Sequence, residues 1–217
     1  MTQNRTVTDK IKRPVKSALC LALAAACALS VCGGKVSPAR AEEEDVTFRS
    51  AYATEKVLQD VEYTGGGAAR VSVNACRGEY ESTQIIMTAQ KDIAAYTVQV
   101  GDLVLSGSDQ VFPKENIAVY AEKYIEVKKN YCNNGEPLGM YPDCLLPVEN
   151  SVAAGENTIE SGNNQGLYIT FNVPIDQPAG VYTGSMTVTY DGAETELPVT
   201  LTVYDLAVSE TTHSRTK

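Results

Sequence analysis

The 217-residue sequence contains no tryptophan, only three phenylalanines and a single histidine, His213. One histidine excludes a metal site built from several imidazoles and most acid–base catalysis that depends on histidine. Basic residues are also scarce, with 18 Lys and Arg against 27 Asp and Glu, for a net charge of −9. Such a chain lacks the basic surface that binds a nucleic-acid backbone. With 43% hydrophobic and 21% charged residues, the composition is that of a globular protein, neither disordered nor membrane-embedded.

The first 41 residues have the three parts of a secretory signal peptide. A basic segment ending at Lys16 precedes an apolar run over residues 18–31, and Ala39-Arg40-Ala41 supplies the small residues of a cleavage site. The run is short for a transmembrane span of about 20 residues. We therefore predict a secreted or cell-surface bacterial protein that is cleaved after Ala41. An uncleaved N-terminal anchor is one alternative, and a lipid anchor at Cys32 or Cys27 is another.

Removal of residues 1–41 makes the chain more acidic. That segment holds seven basic residues and one acidic residue, so the remaining 176 residues carry a net charge of −15. Such a surface would not adhere to anionic membranes. The Asp-x-Asp-x-Asp-Gly run of a calcium-binding loop does not occur, and we expect neither a metal nor a cofactor. Residues 42–45 are predicted to be an acidic linker.

Three cysteines remain after the leader, at Cys76, Cys132 and Cys144. Because three is odd, at most one intrachain disulfide can form. Cys132 and Cys144 flank a segment rich in Gly, Pro and Asn, and a bridge there would stabilise the chain by about 3 kcal/mol through loop entropy. A Cys132–Cys144 disulfide and two free thiols stay open as alternatives. Cys76 lies within an alternation of apolar residues and is predicted to be a buried small hydrophobe.

From Val46 onward, short segments rich in Val, Ile, Thr and Tyr alternate with Gly, Pro, Asn and Asp, which is typical of β-strands. The predicted strands are Val46–Tyr52, Ala69–Asn74, Glu81–Thr88, Tyr96–Val100, Ile117–Val127, Leu167–Val173, Tyr182–Tyr190 and Glu194–Tyr204. One short helical turn at most is expected, over Lys56–Val61. About eight short strands in about 160 residues predict an all-β fold, a two-sheet antiparallel β-sandwich of Ig-like or jelly-roll-like type over residues 46–206.

The last two predicted strands form the clearest hairpin. Apolar and polar residues alternate over residues 185–190 and again over residues 197–204, and Asp191-Gly192 supplies the turn between them. Two other runs, residues 84–87 and 117–120, break the alternation. We predict that these runs are buried on both faces or cross the edge of a sheet.

The composition does not exclude catalysis by a pair of carboxylates. Glycoside hydrolysis needs two carboxyl groups about 5 to 10 Å apart across a cleft. Glu79 and Glu81 are close in sequence, but we expect them to flank a bend and to pair with Arg77 or backbone N–H groups. Asp143 is expected to cap a proline-bounded loop. We therefore assign no catalytic residue.

Tyrosine is the abundant aromatic residue, with 12 copies. Tyr120, Tyr124, Tyr131 and Tyr141 cluster in sequence, and tyrosine rings can form a platform for a sugar. Half-buried packing within the sandwich is the simpler interpretation of these rings. Tyr131 and Tyr141 are the candidate ligand-binding residues.

Three segments together resemble a known family. They are residues 74–86 (NACRGEYESTQII), residues 117–147, which include IAVY, YIEV and YPDCLLP, and residues 164–184, which include NQGLYIT and PAGVYTG. Their order and spacing resemble the N-terminal β-sandwich of bacterial proteins similar to glycoside hydrolase family 123, whose founding activity is β-N-acetylgalactosaminidase. The resemblance covers Val46 to Leu206.

The resemblance implies that the catalytic acid pair of such a protein, which performs substrate-assisted hydrolysis, lies on a (β/α)₈ barrel that follows the sandwich. Residues 210–217 resemble the junction into that barrel, so residues 207–217 are expected to begin a linker to a C-terminal domain outside this sequence. The catalytic residues of the family therefore have no counterparts here.

These observations predict a non-catalytic, secreted N-terminal sandwich that packs against or orients a catalytic barrel. An exposed apolar patch would support such a partner. The alternative is a free-standing extracellular module that binds carbohydrate or a surface, and an enzyme that acts alone ranks third.

Overall fold

Strands make up nearly all of the regular structure and lie where β-branched and aromatic residues are concentrated. The computed structural model describes residues 44–131 and 135–209, and the predicted signal peptide, Cys27, Cys32 and His213 lie outside them. The elements are β1 Val46–Tyr52, β2 Val71–Arg77, β3 Tyr80–Ala89, β4 Tyr96–Val100, β5 Leu103–Leu105, β6 Val111–Phe112, β7 Ile117–Val127, β8 Gly139–Pro147, α1 Val148–Ala153, β9 Asn164–Asn172, β10 Gly180–Tyr190 and β11 Ala193–Ala207. Among these elements, no helix is long and apolar enough to cross a membrane.

Two sheets form the predicted sandwich. Sheet A has five strands in the order β1-β3-β9-β7-β8, and all of its pairs are antiparallel. Sheet B has six strands, with the order β2-β11-β10-β5-β6 and β4 also paired with β10. One pair departs from the antiparallel prediction, because β2 and β11 run parallel with Val71 opposite Val199. Parallel neighbours need a long connection, and here the chain forms β3 to β10 between the two strands.

The apolar core lies between the facing sides of the two sheets. Alternate residues of β9 (Leu167, Ile169 and Phe171) are fully buried there. The ring of Phe112 joins the sheets, since its centroid lies 6.3 Å from that of Phe171 and 6.1 Å from that of Tyr182. The final hairpin has the predicted alternation, and its inward residues are Met186, Val188, Tyr190, Leu197, Val199, Leu201 and Val203.

The outer side of sheet A is covered by the β1–β2 loop, residues 53–70. Val57 from this loop is buried against Ile86 and Ala51, and Tyr63 packs beside them. This cover explains the broken alternation at residues 84–87, which are buried on both faces as predicted. The run at residues 117–120 is mostly half-buried.

Several elements differ from the prediction. β5, β6, β8 and α1 were not predicted, and the helical turn expected over Lys56–Val61 is loop and turn instead. The loop forms because its carbonyl groups bond to side chains of sheet A rather than to one another. The second predicted strand, Ala69–Asn74, begins later and reaches Arg77 through its pairing with β11.

Candidate functional site

Tyr131 and Tyr141 line the same surface cavity, which has a volume of about 670 Å³. We call it the tyrosine cavity; Lys56, Val127 and Pro137 also line it. Tyr131 follows β7 and is 88% exposed. Tyr141 lies in β8 and is half-buried, and its hydroxyl donates a hydrogen bond to the Pro137 carbonyl at 2.7 Å. The cavity therefore combines one ring with a fixed position and one that is open to solvent.

The other two tyrosines of the sequence cluster lie elsewhere, on the outer face of β7. Tyr120 is opposite Tyr168 of β9. The hydroxyl of Tyr124 accepts a hydrogen bond from the Gly166 backbone N–H at 2.9 Å, and burial raises the pKa of Tyr124 well above its usual value. The structure thus separates the four tyrosines into two pairs, of which only Tyr131 and Tyr141 share the tyrosine cavity.

Glu79 and Glu81 bond to nearby backbone groups. Glu79 accepts a hydrogen bond from the Cys76 N–H at 2.7 Å, and Glu81 accepts one from the N–H of the next residue at 3.2 Å. Of the two expected partners for Glu79, the backbone N–H is therefore the one observed. Arg77 instead forms an ion pair with Asp205 at 3.0 Å. Asp143, expected in a loop, is an exposed residue of β8.

The cysteines differ in exposure. Cys76 is half-buried rather than buried, because it follows the last inward residue of β2, and desolvation together with Glu79 raises the pKa of its thiol. Cys144 is exposed in β8 and unbridged in the structure. Cys132 lies outside the described residues, so the Cys132–Cys144 disulfide stays a prediction.

A second site, which the sequence did not reveal, surrounds Glu122 on the outer face of β7. A cavity of about 190 Å³ lies there between the start of the β1–β2 loop and β8. We call it the Glu122 pocket; its walls include Glu122, Gln84, Lys56, Asp143 and Tyr168. Glu122 is only 4% exposed, and its Oε2 is buried without a hydrogen-bond partner.

One neighbouring residue, Gly166, limits the position of the Glu122 carboxylate. Gly166 of β9 has no side chain, and a Cβ there would collide with Oε2 of Glu122. Gln84 of β3 is 1% exposed and also has a buried oxygen, Oε1, without a partner. A glycine within a strand pattern often marks such a close approach, and Gly166 is the sequence signal that could have indicated this site.

Burial raises the pKa of the Glu122 carboxyl from 4.5 to about 7, although the positive charge of Lys56 acts in the opposite direction. The carboxyl is therefore poised to gain or lose a proton near neutral pH. Across the described residues, no group of three or more His, Cys, Asp or Glu side chains is placed to bind a metal ion. What the pocket offers is hydrogen-bond acceptance and negative charge.

The chain is similar to known proteins in sequence and in fold. Residues 55–190 match the family model of the glycoside hydrolase 123 N-terminal domain. A solved family 123 glycoside hydrolase from Clostridium perfringens, whose structural analysis concerns glycolipid glycan hydrolysis, superposes with a TM-score of 0.60 at 18% identity. The match covers 75% of this chain and 28% of that enzyme, so the chain spans well under half of the enzyme's length.

Two other solved structures have lower similarity. The CooA pilin subunit from enterotoxigenic Escherichia coli has a TM-score of 0.31 at 15% identity, over 72% of this chain and 97% of the pilin. AvmM, which catalyses macrocyclization in alchivemycin A biosynthesis, has a TM-score of 0.37 at 7% identity, over 79% and 94% of the two chains. No curated protein matches the sequence.

Proposed function

Because the chain belongs to the glycoside hydrolase 123 N-terminal domain family, we propose that it is a non-catalytic sandwich that packs against, and orients, a catalytic (β/α)₈ barrel in a longer polypeptide. The superposed family 123 enzyme supports this role, since the sandwich matches only 28% of its chain. The observation that carries the proposal is an exposed apolar surface beside the end of the last strand.

This surface borders the turn between β2 and β3, and we call it the exit surface. It comprises Ile175, Leu206 and Val208, all exposed, with Leu206 at 63%. The Val208 N–H bonds to the carbonyl that precedes Gly78, and a Cβ at Gly78 would lie 2.9 Å from Ile175 Cδ1. Exposed apolar residues grouped in this way are typical of an interaction surface, and these lie where β11 leads out of the sandwich.

Hydrogen–deuterium exchange tests the packing. We expect the amides of residues 204–208 to exchange more slowly in a polypeptide that carries the barrel than in the present chain alone. Leu206→Asp should reverse that protection, whereas Val181→Asp, at an exposed position of β10, should not. Equal exchange at the exit surface in both polypeptides would contradict the proposal.

The non-catalytic assignment has its own test. We expect the purified chain to release no N-acetylgalactosamine from a chromogenic substrate. Turnover that grows with enzyme concentration and persists through further purification would show that the chain is an enzyme by itself.

A second candidate function is carbohydrate binding by the tyrosine cavity, since Tyr131 and Tyr141 both line it. Stacking on such rings accounts for part of the affinity of sugar-binding surfaces. We expect Tyr131→Ala to abolish binding on a glycan array, whereas Tyr52→Ala, at another highly exposed tyrosine, leaves it unchanged. If neither variant changes the array signal, or no glycan binds, the chain is not a binding module of this kind.

We also propose that the protein is secreted or held at the cell surface, on the signal-peptide pattern of residues 1–41. Cell fractionation and N-terminal sequencing test this location. A mature N-terminus at Glu42 is expected. A lipid-labelled product that begins at Cys32 or Cys27 would show an anchored protein, and a cytoplasmic chain that keeps Met1 would exclude export.

A further inference from the structure

The tyrosine cavity gathers positive charge in a chain whose net charge is −9. Two lysines line it, Lys56 from the β1–β2 loop and Lys129 just after the end of β7, together with one carboxylate, Glu136. The walls of the cavity therefore carry more positive than negative charge, whereas the chain as a whole carries more negative charge. This local reversal of sign favours an anionic ligand.

Both lysines of the cavity are open to solvent. Lys56 and Lys129 are exposed, and neither forms an ion pair with a carboxylate within residues 44–131 and 135–209. Lys56 makes one long hydrogen bond, at 3.5 Å to the Pro142 carbonyl, so its ammonium group keeps donors for a ligand. It also borders the Glu122 pocket, where its charge acts on the buried carboxyl without forming an ion pair.

Other lysines of the same ranges already have acidic partners. Those that lie within 2.9 Å of a carboxylate oxygen are Lys91, Lys123 and Lys128. The two lysines of the tyrosine cavity thus differ from these three, because their charge is available to a group that enters from solvent.

The tyrosine rings supply a surface for the uncharged part of such a ligand. Tyr131 is 88% exposed, so most of its ring is accessible to a sugar. Tyr141 is held by the 2.7 Å hydrogen bond from its hydroxyl to the Pro137 carbonyl. Ammonium groups beside an accessible aromatic ring match a ligand that has both a pyranose face and an anionic substituent.

We propose that the tyrosine cavity binds an acidic sugar, whose carboxylate or sulfate group pairs with Lys56 and Lys129 while its ring stacks on Tyr131. The inference rests on the proposed carbohydrate binding by this cavity and adds the class of sugar. Lysine donates charge-assisted hydrogen bonds to either anion. The volume of about 670 Å³ lies within the usual range for a small-ligand site.

The binding test uses the ¹⁵N-labelled chain and the backbone amide signals of Val127 and Lys129, which both line the cavity. The probes come in pairs that differ in charge: the methyl glycosides of galacturonic acid and of N-acetylneuraminic acid, each with its own methyl ester, and galactose 6-sulfate with galactose. We expect saturable shifts, with at least one acid binding about tenfold more tightly than its neutral partner. The acid that binds most tightly identifies the anion as a carboxylate or a sulfate.

The other outcomes separate this inference from carbohydrate binding itself. Equal affinities within every pair would overturn the acidic-sugar assignment and leave sugar binding in place. The absence of a saturable shift with every probe would exclude both. Acetate and sulfate ions are the controls without a sugar ring, and if they bind as tightly as the acidic sugars, the cavity recognises charge alone and the inference is wrong.

Variants assign the preference to the two lysines. The double variant Lys56→Gln/Lys129→Gln should lose the preference for the acid and keep its affinity for the neutral partner, whereas Tyr131→Ala should weaken the binding of both. Lys114→Gln is the matched control, because Lys114 is exposed, forms no ion pair within the described residues and does not line the cavity. An unchanged preference in the double variant, or an equal loss in Lys114→Gln, would exclude the two lysines.

A salt series on the unmutated chain tests the charge without a variant. Sodium chloride raised from about 50 to about 500 mM should weaken the binding of the acidic sugar several-fold, because salt screens charges at exposed sites, and should leave the neutral partner unaffected. An affinity for the acidic sugar that does not change with salt would contradict pairing with the lysines.

Discussion

Both faces of sheet A contain buried residues, but these residues are covered in different ways. The inner face meets the apolar face of sheet B, and its buried residues are aliphatic and aromatic. The outer face is covered by the β1–β2 loop, whose backbone carbonyls accept hydrogen bonds from side chains such as Gln84 and Asn164. A loop without regular structure leaves carbonyls unpaired, so polar side chains have to be buried beneath it. Apolar packing thus holds the inner face, whereas a small apolar cluster together with directed hydrogen bonds holds the outer one.

The largest expected effect tests the inner face. Phe112→Ala removes a ring that contacts Phe171 and Tyr182 across the two sheets, and the free energy of unfolding should fall by about 4 kcal/mol. Urea denaturation at pH 7 measures this change in the free energy of unfolding. The control, Tyr52→Ala, removes an exposed ring and should change stability by less than about 0.5 kcal/mol. Similar losses in the two variants would mean that the inner face is not the main source of stability.

The next effect concerns Glu122 on the outer face. Its pKa is raised from 4.5 to about 7 by folding, so the folded state holds the proton more tightly. The stabilisation is complete below pH 4.5 and is lost as pH rises through about 7, with a total of about 3 kcal/mol. The difference in unfolding free energy between wild type and Glu122→Gln should therefore change by that amount between pH 4.5 and pH 8. Glu126→Gln, at an exposed position of the same strand, is the control, and a flat difference for Glu122→Gln would contradict the raised pKa.

A smaller effect is expected for two hydrogen bonds that hold the β1–β2 loop on sheet A. Asn164→Ala removes Nδ2, which donates to the carbonyls of Leu58 and Val61 at 2.8 and 2.7 Å. The unfolding free energy should fall by about 2 kcal/mol, because two part-buried carbonyls lose their donor and the Thr88 hydroxyl loses its acceptor. Amide exchange in the loop should also accelerate, while the core strands stay protected. Asn74→Ala, at an exposed position of β2, is the control; a loss of stability without faster loop exchange would place the effect elsewhere.

The smallest effect is a coupling between Gly166 and Glu122. Gly166→Ala adds a Cβ that collides with the Glu122 carboxylate, whereas Glu122→Ala removes the group that it meets. The double variant should be more stable than the sum of the single variants predicts, with a coupling of about 1 kcal/mol. Urea denaturation of the four proteins gives the value. Additive effects would mean that the two residues are not in contact.

The contrast between the two faces also explains which features of the fold could be predicted from the sequence. Alternation along β10 and β11 predicted the inner residues and the Asp191-Gly192 turn, because one buried face leaves a period of two in the sequence. The polar residues beneath the loop leave no such pattern. Their burial depends on a segment that is distant in the chain. Gly166 is the sequence feature that indicates this burial.

β8 shows a second limit of sequence reasoning. Gly139, Pro142 and Pro147 made this segment resemble a loop, yet it pairs with β7 over most of its length. β8 is the edge strand of sheet A, where a proline does not interrupt a ladder on both sides. The Glu122 pocket is bounded partly by β8, so it could not be predicted from a sequence in which β8 resembles a loop.

The parallel pairing of β2 with β11 bears on how the protein is made. β11 lies between β2 and β10, so sheet B lacks an inner strand until the ribosome has synthesised Ala207. Contacts between such distant segments form slowly. The nascent sandwich should therefore stay open until β11 has been synthesised, with the edges of β2 and β10 unprotected until then.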